Sequence, residues 1–153
     1  MFAVRSFVNA LLPVDTFTAY ANTKKCPFSS MQMALIGPYN MLLGKHANYD
    51  ASKETYDTAN DIFKTVFSEG FPWEVLEVHS GPPTVSFTWR HWAKMSGPYR
   101  AADGTIYEPT GETIELYGNC VARVTSDLKI ESLELYYDRE DFLQKLVAGK
   151  KRV

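Results

Sequence analysis

One histidine and two carboxylates lie in a stretch of alternating apolar and polar residues, from position 84 to position 138. The histidine is His91, and the carboxylates are Glu134 and Asp138. An imidazole titrates near neutrality, so His91 is a natural proton carrier for chemistry that uses no cofactor. A carboxylate held among aromatic rings has its pKa raised by desolvation, which suits Asp138 to the same task. We therefore predict that His91 and Asp138 form a catalytic acid/base pair.

Each of these residues also has a plain structural interpretation. His91 could be a core histidine whose ring bonds to a backbone or carboxylate partner. Asp138 could cap the helix that follows it, because Asp is a preferred N-cap residue. Glu134 and Asp138 lie four residues apart on one strand, roughly 13 Å, and are too far apart to share a proton directly. They could still bracket a ligand with His91 between them.

Strand parity predicts which side chains meet a ligand. Residues 84–95 alternate, and the more apolar face carries Phe87, Trp89 and His91, which we expect to point inward as part of a pocket. Arg90 and Trp92 then lie on the outer face, where they could form a cation–π pair or serve a dimer interface.

The last strand, residues 129–138, presents two unlike faces. The more apolar face carries Glu131, Leu133, Leu135 and Tyr137. The face richer in chemistry carries Ile130, Ser132, Glu134, Tyr136 and Asp138. Either face could point inward. The second would place Glu134 and Tyr136 against the ligand.

Further polar contacts to a ligand are expected from other elements. Tyr39 and Asn40 lie on a helix of the kind that covers a curved sheet. Tyr99 belongs to residues 97–111, and loops of this length in a compact domain are often lids or binding loops. His46 and Tyr49 fall in a shorter loop and are expected to be exposed.

Helical patterns are confined to the two ends of the chain. We expect a short helix around Phe7 to Leu12, then one that begins at a Ser29–Gln32 capping box and is strained or split by Pro38. Residues 56–67 form the clearest helix, and residues 139–147 a short last one. The strands between them are expected at 73–78, 84–95, 113–124 and 129–138. This order indicates an α+β fold with helices on one face of a curved antiparallel sheet.

Composition narrows the class of protein. The 153 residues, 45% of them apolar, fit one domain. A net charge of −2 and a pI near 5.9 give no basic field for nucleic acid. No apolar run approaches the roughly 20 residues that cross a bilayer, and the start has no signal-peptide pattern, so we expect a cytoplasmic protein. Two cysteines and three scattered histidines lack metal-ligand spacing, and we expect neither metal nor cofactor.

Several segments are similar to a known family. They are residues 37–43 (GPYNMLL), 70–83 (GFPWEVLEVHSGPP), 90–92 (RHW), 97–99 (GPY), 109–112 (PTGE) and 136–138 (YYD). In this order and with this turn chemistry, the chain resembles the pathogen-related proteins of plants and their fungal relatives, which are SnoaL-like members of the NTF2-like superfamily. The resemblance places that domain at residues 29–148, with an atypical N-terminal helical extension at 1–28 and a tail at 149–153. Residues 101–107 look like an insertion.

The resemblance implies an NTF2-like cone around a pocket, often paired as a homodimer through the outer sheet face. Asp138 matches the aspartate that ends the last strand in many SnoaL-like proteins, where an acid/base role is common, so we choose as the inward face of the last strand the one that carries Glu134, Tyr136 and Asp138. It implies a cofactor-independent enzyme of specialised metabolism that cyclises, isomerises or rearranges a hydrophobic polyketide- or terpenoid-type intermediate. A dehydratase or an epoxide hydrolase on the same fold is an alternative. Two further alternatives are a non-catalytic binder of a small hydrophobic molecule and an interaction module. A carrier needs few ionisable groups inside the cone, whereas an enzyme needs an aligned acid/base pair.

Overall fold

The structure, a computed structural model, describes residues 17–23 and 27–152. Its strands are β1 (Thr18–Ala21), β2 (Phe28–Ser29), β3 (Trp73–Ser80), β4 (Thr84–Lys94), β5 (Tyr99–Arg100), β6 (Ile106–Tyr107), β7 (Thr113–Val124) and β8 (Ile130–Tyr137). Its helices are α1 (Ser30–Ile36), α2 (Pro38–Leu43), α3 (Tyr56–Val66) and α4 (Arg139–Leu146), with a 3₁₀ turn at Ala51–Lys53.

Six strands form one sheet in the order β2-β1-β8-β7-β4-β3. All neighbours are antiparallel except β1 and β8, which run parallel. The long strands β3, β4, β7 and β8 are neighbours in the sheet in the order in which they occur along the chain, and each lies in a segment where the alternation of apolar residues predicts a strand. With helices packed on one face of this sheet, the predicted α+β cone is confirmed.

The starts of the helices follow from their sequence. The Ser29 hydroxyl accepts from the Gln32 amide at 3.2 Å, and the Gln32 side chain accepts from the Ser29 amide at 2.9 Å, which is the predicted capping box. Gly37, at φ +84°, ends α1, and Pro38 opens α2. Pro tolerates the first position of a helix because its missing N–H would be unpaired there anyway.

The core lies between the helices and one face of the sheet, which we call the inner face. Phe63 of α3 and Phe142 of α4 are buried against Leu116 and Cys120 of β7. A smaller cluster lies toward the β1 end of the sheet and is formed by Phe17, Ala19, Met33, Met41 and Ile130. The buried residues of β4 and β7 share one strand parity, so the opposite, outer face is left without helices among the described residues.

Two expectations about the ends of the chain need correction. Residues 18–21 of the expected helical extension form a strand that pairs with β8, so they belong to the sheet. The short helix expected around Phe7 lies outside the described residues. At the other end, residues 150–152 do not fray, because backbone bonds join them to residues 106–108 and Arg152 forms an ion pair with Glu108.

None of the helices in the described ranges is long and apolar enough to cross a membrane.

Candidate functional site

An aromatic surface lies on the inner face where β3 and β4 pair. We call it the aromatic wall, and it consists of Phe71, Trp73, Phe87, Trp89 and His91. The Trp73 ring lies 6.0 Å from the Phe87 ring and 6.5 Å from the Trp89 ring, measured between centroids. Trp73 is directly opposite His91 in the strand pairing. Because Trp73 remains 43% exposed and Phe87 only half-buried, the wall is open to an incoming molecule.

His91 is held in one orientation by two contacts. Its ring stacks on Phe71, with centroids 3.5 Å apart and planes 17° apart. Its Nδ1 atom lies 2.7 Å from the Pro72 carbonyl oxygen. Since a carbonyl only accepts, Nδ1 carries the proton, and in the neutral ring Nε2 then keeps its lone pair. The predicted inward position of His91 is confirmed, together with those of Phe87 and Trp89.

Burial controls the charge of His91. Desolvation by burial lowers the pKa of the imidazole to about 4, although the hydrogen bond to Pro72 works in the opposite direction. The ring is therefore neutral at pH 7. A neutral imidazole with a free Nε2 can accept a proton, and it is a weaker base than an exposed histidine.

The outer face of the same strands carries an ion-pair network. Arg90 bonds to Glu74 at 2.7 Å and to Glu115 at 3.1 Å. Its guanidinium lies over the Trp92 ring, 4.1 Å from the centroid. The sequence-based placement of Arg90 and Trp92 as an outward cation–π pair is confirmed.

The prediction for the last strand is wrong. Leu133, Leu135 and Tyr137 of β8 pair with Ala122, Cys120 and Gly118 of β7, so they share the inner face. Glu134 and Tyr136 consequently lie on the outer face, where the Tyr136 hydroxyl donates to Glu134 at 2.7 Å. The apolar side chains of β8 lie on the inner face because burying two leucines is favourable and burying a carboxylate is costly.

Asp138 takes the structural role that the sequence left open. Its carboxylate accepts from the backbone N–H of Asp141 at 2.9 Å and caps α4. The side chain is exposed, and no hydrogen bond or ion pair joins it to His91, both residues being within the described ranges. The structure therefore does not bring the predicted acid/base pair together.

Asn40 is buried and fully occupied by the fold. Its side-chain amide donates to the carbonyl oxygens of Ile36, Glu54 and Thr55, at 2.8, 3.2 and 3.2 Å. Its carbonyl accepts from the Tyr49 hydroxyl at 2.6 Å. Both amide N–H groups are used, and the residue is only 3% exposed, so the amide is closed to a ligand. Tyr49, expected to be exposed, is only 2% exposed.

Tyr39 differs from Asn40 beside it. Its ring stacks on Phe63 at 4.1 Å, and burial raises the pKa of its hydroxyl to about 12. The hydroxyl stays protonated at neutral pH and has no hydrogen-bond partner among the described residues. A ligand contact at Tyr39 stays a prediction.

The segment 97–111 is anchored, in contrast to the expected lid. Tyr99 is fully buried and donates to the Asn48 carbonyl at 2.7 Å. Arg100 bonds to both carboxylate oxygens of Glu54, at 2.9 and 3.0 Å. A Cβ at Gly97 would lie 1.9 Å from the Thr65 carbonyl oxygen, so this backbone packs directly on α3. Tyr99 cannot close over a ligand without breaking the core.

His46 was expected to be exposed in its loop, but its side chain is mostly buried. Its Nε2 atom lies 2.7 Å from Glu140, and its Nδ1 accepts from the Asn48 amide at 3.1 Å. These bonds tie the loop to the start of α4 and give His46 a structural role.

Sequence reasoning missed Phe71 and Trp73 as site residues. They flank Pro72 just before β3, and the available signal was two aromatic residues at the start of an apolar strand. The face of the sheet on which these two side chains lie depends on the register between β3 and β4. Their pairing contains two register shifts that no alternation pattern predicts.

Two buried groups near the wall differ in what they can do. The Cys120 thiol is completely buried, and its pKa is raised to about 12 by desolvation and by Glu134, so the thiol is inert. Trp89 is 4% exposed, and its indole Nε1 has no hydrogen-bond partner within residues 17–23 and 27–152. No three metal-ligating side chains come together in the described part of the chain.

The comparison of sequences confirms the predicted resemblance. No protein-family model matches the chain. A pathogen-related protein of Hordeum vulgare is 35% identical over 137 residues, which cover 85% of this chain and 56% of that protein. The match therefore spans little more than half the length of this relative.

The comparison of structures shows the fold. A SnoaL-like protein from Jannaschia Sp. CCS1, assigned as a polyketide cyclase, superimposes with a TM-score of 0.57 at 11% identity, over 95% of this chain and 80% of that one. IdmH from Streptomyces antibioticus, also assigned as a polyketide cyclase, has a TM-score of 0.52 at 11% identity, over 93% and 91%. At this identity the likeness concerns the fold.

Proposed function

From a chain with the SnoaL-like fold and a pathogen-related homologue, we propose a protein that binds a flat, mostly apolar metabolite and moves a proton on it without a cofactor. The metabolite would be of polyketide or terpenoid type and would lie against the aromatic wall. The observation that carries this proposal is His91, whose neutral ring stands on the inner face with Nε2 free.

The chemistry follows from one base. Nε2 of His91 removes a proton from a carbon next to a ligand carbonyl, and the electron pair of the C–H bond forms an enolate. The resulting imidazolium returns the proton either to the same carbon, which gives exchange, or to another carbon conjugated with the enolate, which gives isomerisation. The low pKa of His91 makes the imidazolium a strong acid, so the return step is favoured. Since Asp138 lies elsewhere, isomerisation is a better fit than a dehydration that needs a separate acid.

The experiment follows exchange of deuterium into 2-tetralone, a flat ketone with acidic C–H groups. In D₂O, the wild-type protein should accelerate exchange at C1 over buffer, and His91→Phe should lower the rate at least tenfold. His79→Gln is the matched control, because His79 is exposed on β3, and it should exchange at the wild-type rate. Equal rates for wild type, His91→Phe and buffer would exclude catalysis by His91.

A carrier is the second candidate. It is favoured by the position of Glu134 on the outer face and of Asp138 at the helix cap, which leaves His91 without a carboxylate partner. The same assay separates the two functions. A carrier binds 2-tetralone without accelerating its exchange.

We also propose a homodimer formed through the outer face. Tyr117 is 52% exposed there, beside the half-buried Val121 and Tyr136, and Arg90 of this face is already neutralised by Glu74 and Glu115. Sedimentation should give about twice the 17.3 kDa chain mass, and Val121→Arg should give the monomer. A wild-type protein that sediments as a monomer at micromolar concentration would rule out this dimer.

A further inference from the structure

We propose that the indole N–H of Trp89 donates the hydrogen bond that recognises a ligand oxygen, so that the site selects flat apolar molecules carrying a carbonyl group. This inference rests on the proposed function, since it concerns the ligand of the same inner face. It assigns the donor that fixes which way the ligand lies.

The first observation is that this donor is buried and unpaired. Trp89 is 4% exposed, and Nε1 has no hydrogen-bond partner. The other buried side-chain nitrogen in this state, in the part of the chain that is described, is Nε of Arg90 on the outer face. Buried polar groups in folded proteins are nearly always bonded, so each exception calls for an acceptor.

The second observation is that most neighbouring donors are occupied by the protein. The hydroxyls of Tyr49 and Tyr99 donate to Asn40 and to the Asn48 carbonyl, at 2.6 and 2.7 Å. The Tyr137 hydroxyl donates to the Leu42 carbonyl. On the sheet itself, the indole N–H of Trp89 is the buried inner-face donor that these contacts leave available, whereas Trp73 is 43% exposed.

The third observation is a space made for the indole. A Cβ at Gly118 would lie 2.2 Å from Cζ2 and 2.5 Å from Cε2 of Trp89. These atoms form the ring edge next to Nε1, so the N–H edge of the indole lies over a backbone that has no side chain. Glycine at 118 therefore lets the indole of Trp89 lie close against the backbone of β7.

The surroundings supply a route and an orientation. Trp73 lies 6.5 Å from Trp89 and is 43% exposed, so turning Trp73 outward would uncover the indole. His91 lies two residues further on the same face, roughly 7 Å away by strand rise. A ligand carbonyl on Trp89 would then set an adjacent C–H group toward Nε2 of His91.

The test compares 2-tetralone with tetralin, which has the same two rings and lacks the oxygen. Binding is measured by calorimetry on the full chain. Wild type should bind 2-tetralone about tenfold more tightly than tetralin, and Trp89→Phe should lose this difference while tetralin binding stays unchanged. Trp92→Phe removes the same N–H from the outer face and is the matched control, with wild-type affinity for both probes.

A spectroscopic readout keeps the proposal testable if Trp89→Phe does not fold. In the wild-type protein labelled with ¹⁵N at its three indoles, 2-tetralone should move the Trp89 indole resonance downfield, and tetralin should not. Equal affinity for the two probes, or an unmoved Trp89 resonance on binding of 2-tetralone, would overturn this inference and leave the proposed function standing. Binding of neither probe up to its solubility would overturn both.

Discussion

The Pro72 carbonyl oxygen accepts from His91 Nδ1 at 2.7 Å and also from the Trp92 backbone amide at 3.1 Å. One carbonyl therefore joins the segment before β3 to the backbone of β4 and to the imidazole on its inner face. The bond from the Trp92 amide fixes the position of this carbonyl, because it continues the backbone pairing between β3 and β4. The orientation of His91 is thus a property of the scaffold, which is how a proton-transferring group is best positioned.

The first prediction concerns the titration of His91. In the unfolded chain the imidazole protonates near its ordinary pKa of about 6.5, and in the folded protein at about 4. Between these values the unfolded state binds more protons, so stability falls as pH drops from about 6.5 to about 4. We expect thermal melts across this window to show a smaller loss for His91→Phe than for wild type. NMR titration of the His91 ring with a midpoint above pH 6 would contradict this account.

The second prediction separates Asp138 from catalysis. Asp138→Ala removes the cap of α4 and should lower the free energy of unfolding by about 1 kcal/mol, as measured by urea denaturation. Asp138→Ser keeps a capping oxygen and should recover most of this loss. Both variants should exchange 2-tetralone protons at the wild-type rate. A tenfold slower exchange in a folded Asp138→Ser protein would restore Asp138 as a catalytic residue.

The sequence was sufficient where burial decides the outcome and insufficient where two faces compete. The parity of β4 was predictable because Trp89 and Phe87 are bulky and apolar. In β8 the family match of Asp138 favours the face with Glu134 and Tyr136, whereas the structure places the leucines of the opposite parity on the inner face. The free energy gained by burying apolar surface determines which face of a strand points into the core, whatever reaction its polar side chains could carry out.

Hydrogen bonds between residues that are distant along the chain were also not predictable from the sequence. Asn40 was predictable as a polar residue on a helix over the sheet. Its bonds to Glu54, Thr55 and Tyr49 depend on how a loop returns, which no local pattern encodes. The anchoring of Tyr99 has the same cause, because its acceptor lies 51 residues earlier.

The third prediction tests the buried Asn40 network. Tyr49→Phe leaves the Asn40 carbonyl without its donor and should lower the free energy of unfolding by about 1–3 kcal/mol. Tyr107→Phe removes a hydroxyl from a half-buried ring and should change stability by less than about 0.5 kcal/mol. Chemical denaturation of the two variants gives the comparison. Equal stabilities would mean that the hydroxyl of Tyr49 adds nothing to the fold.

The fourth prediction concerns the space under Trp89. Gly118→Ala places a methyl group 2.2 Å from the indole and 2.5 Å from the Tyr136 carbonyl oxygen, so both a ring and the backbone must shift. We expect a loss of about 1–3 kcal/mol or more and a change in tryptophan fluorescence. Gly81→Ala is the control, because nothing lies within 4 Å of its added Cβ. Equal melting temperatures for the two variants would contradict direct packing of the Trp89 indole on the backbone at Gly118.

The most direct test of the central claim is where 2-tetralone binds. Proton NMR of the folded protein at pH 7 resolves the imidazoles of His46, His79 and His91. During titration with 2-tetralone, the account predicts saturable shifts of the His91 ring protons, with the rings of His46 and His79 unmoved. Saturable binding that shifts His46 or His79 and leaves His91 unchanged would contradict a ligand site on the aromatic wall.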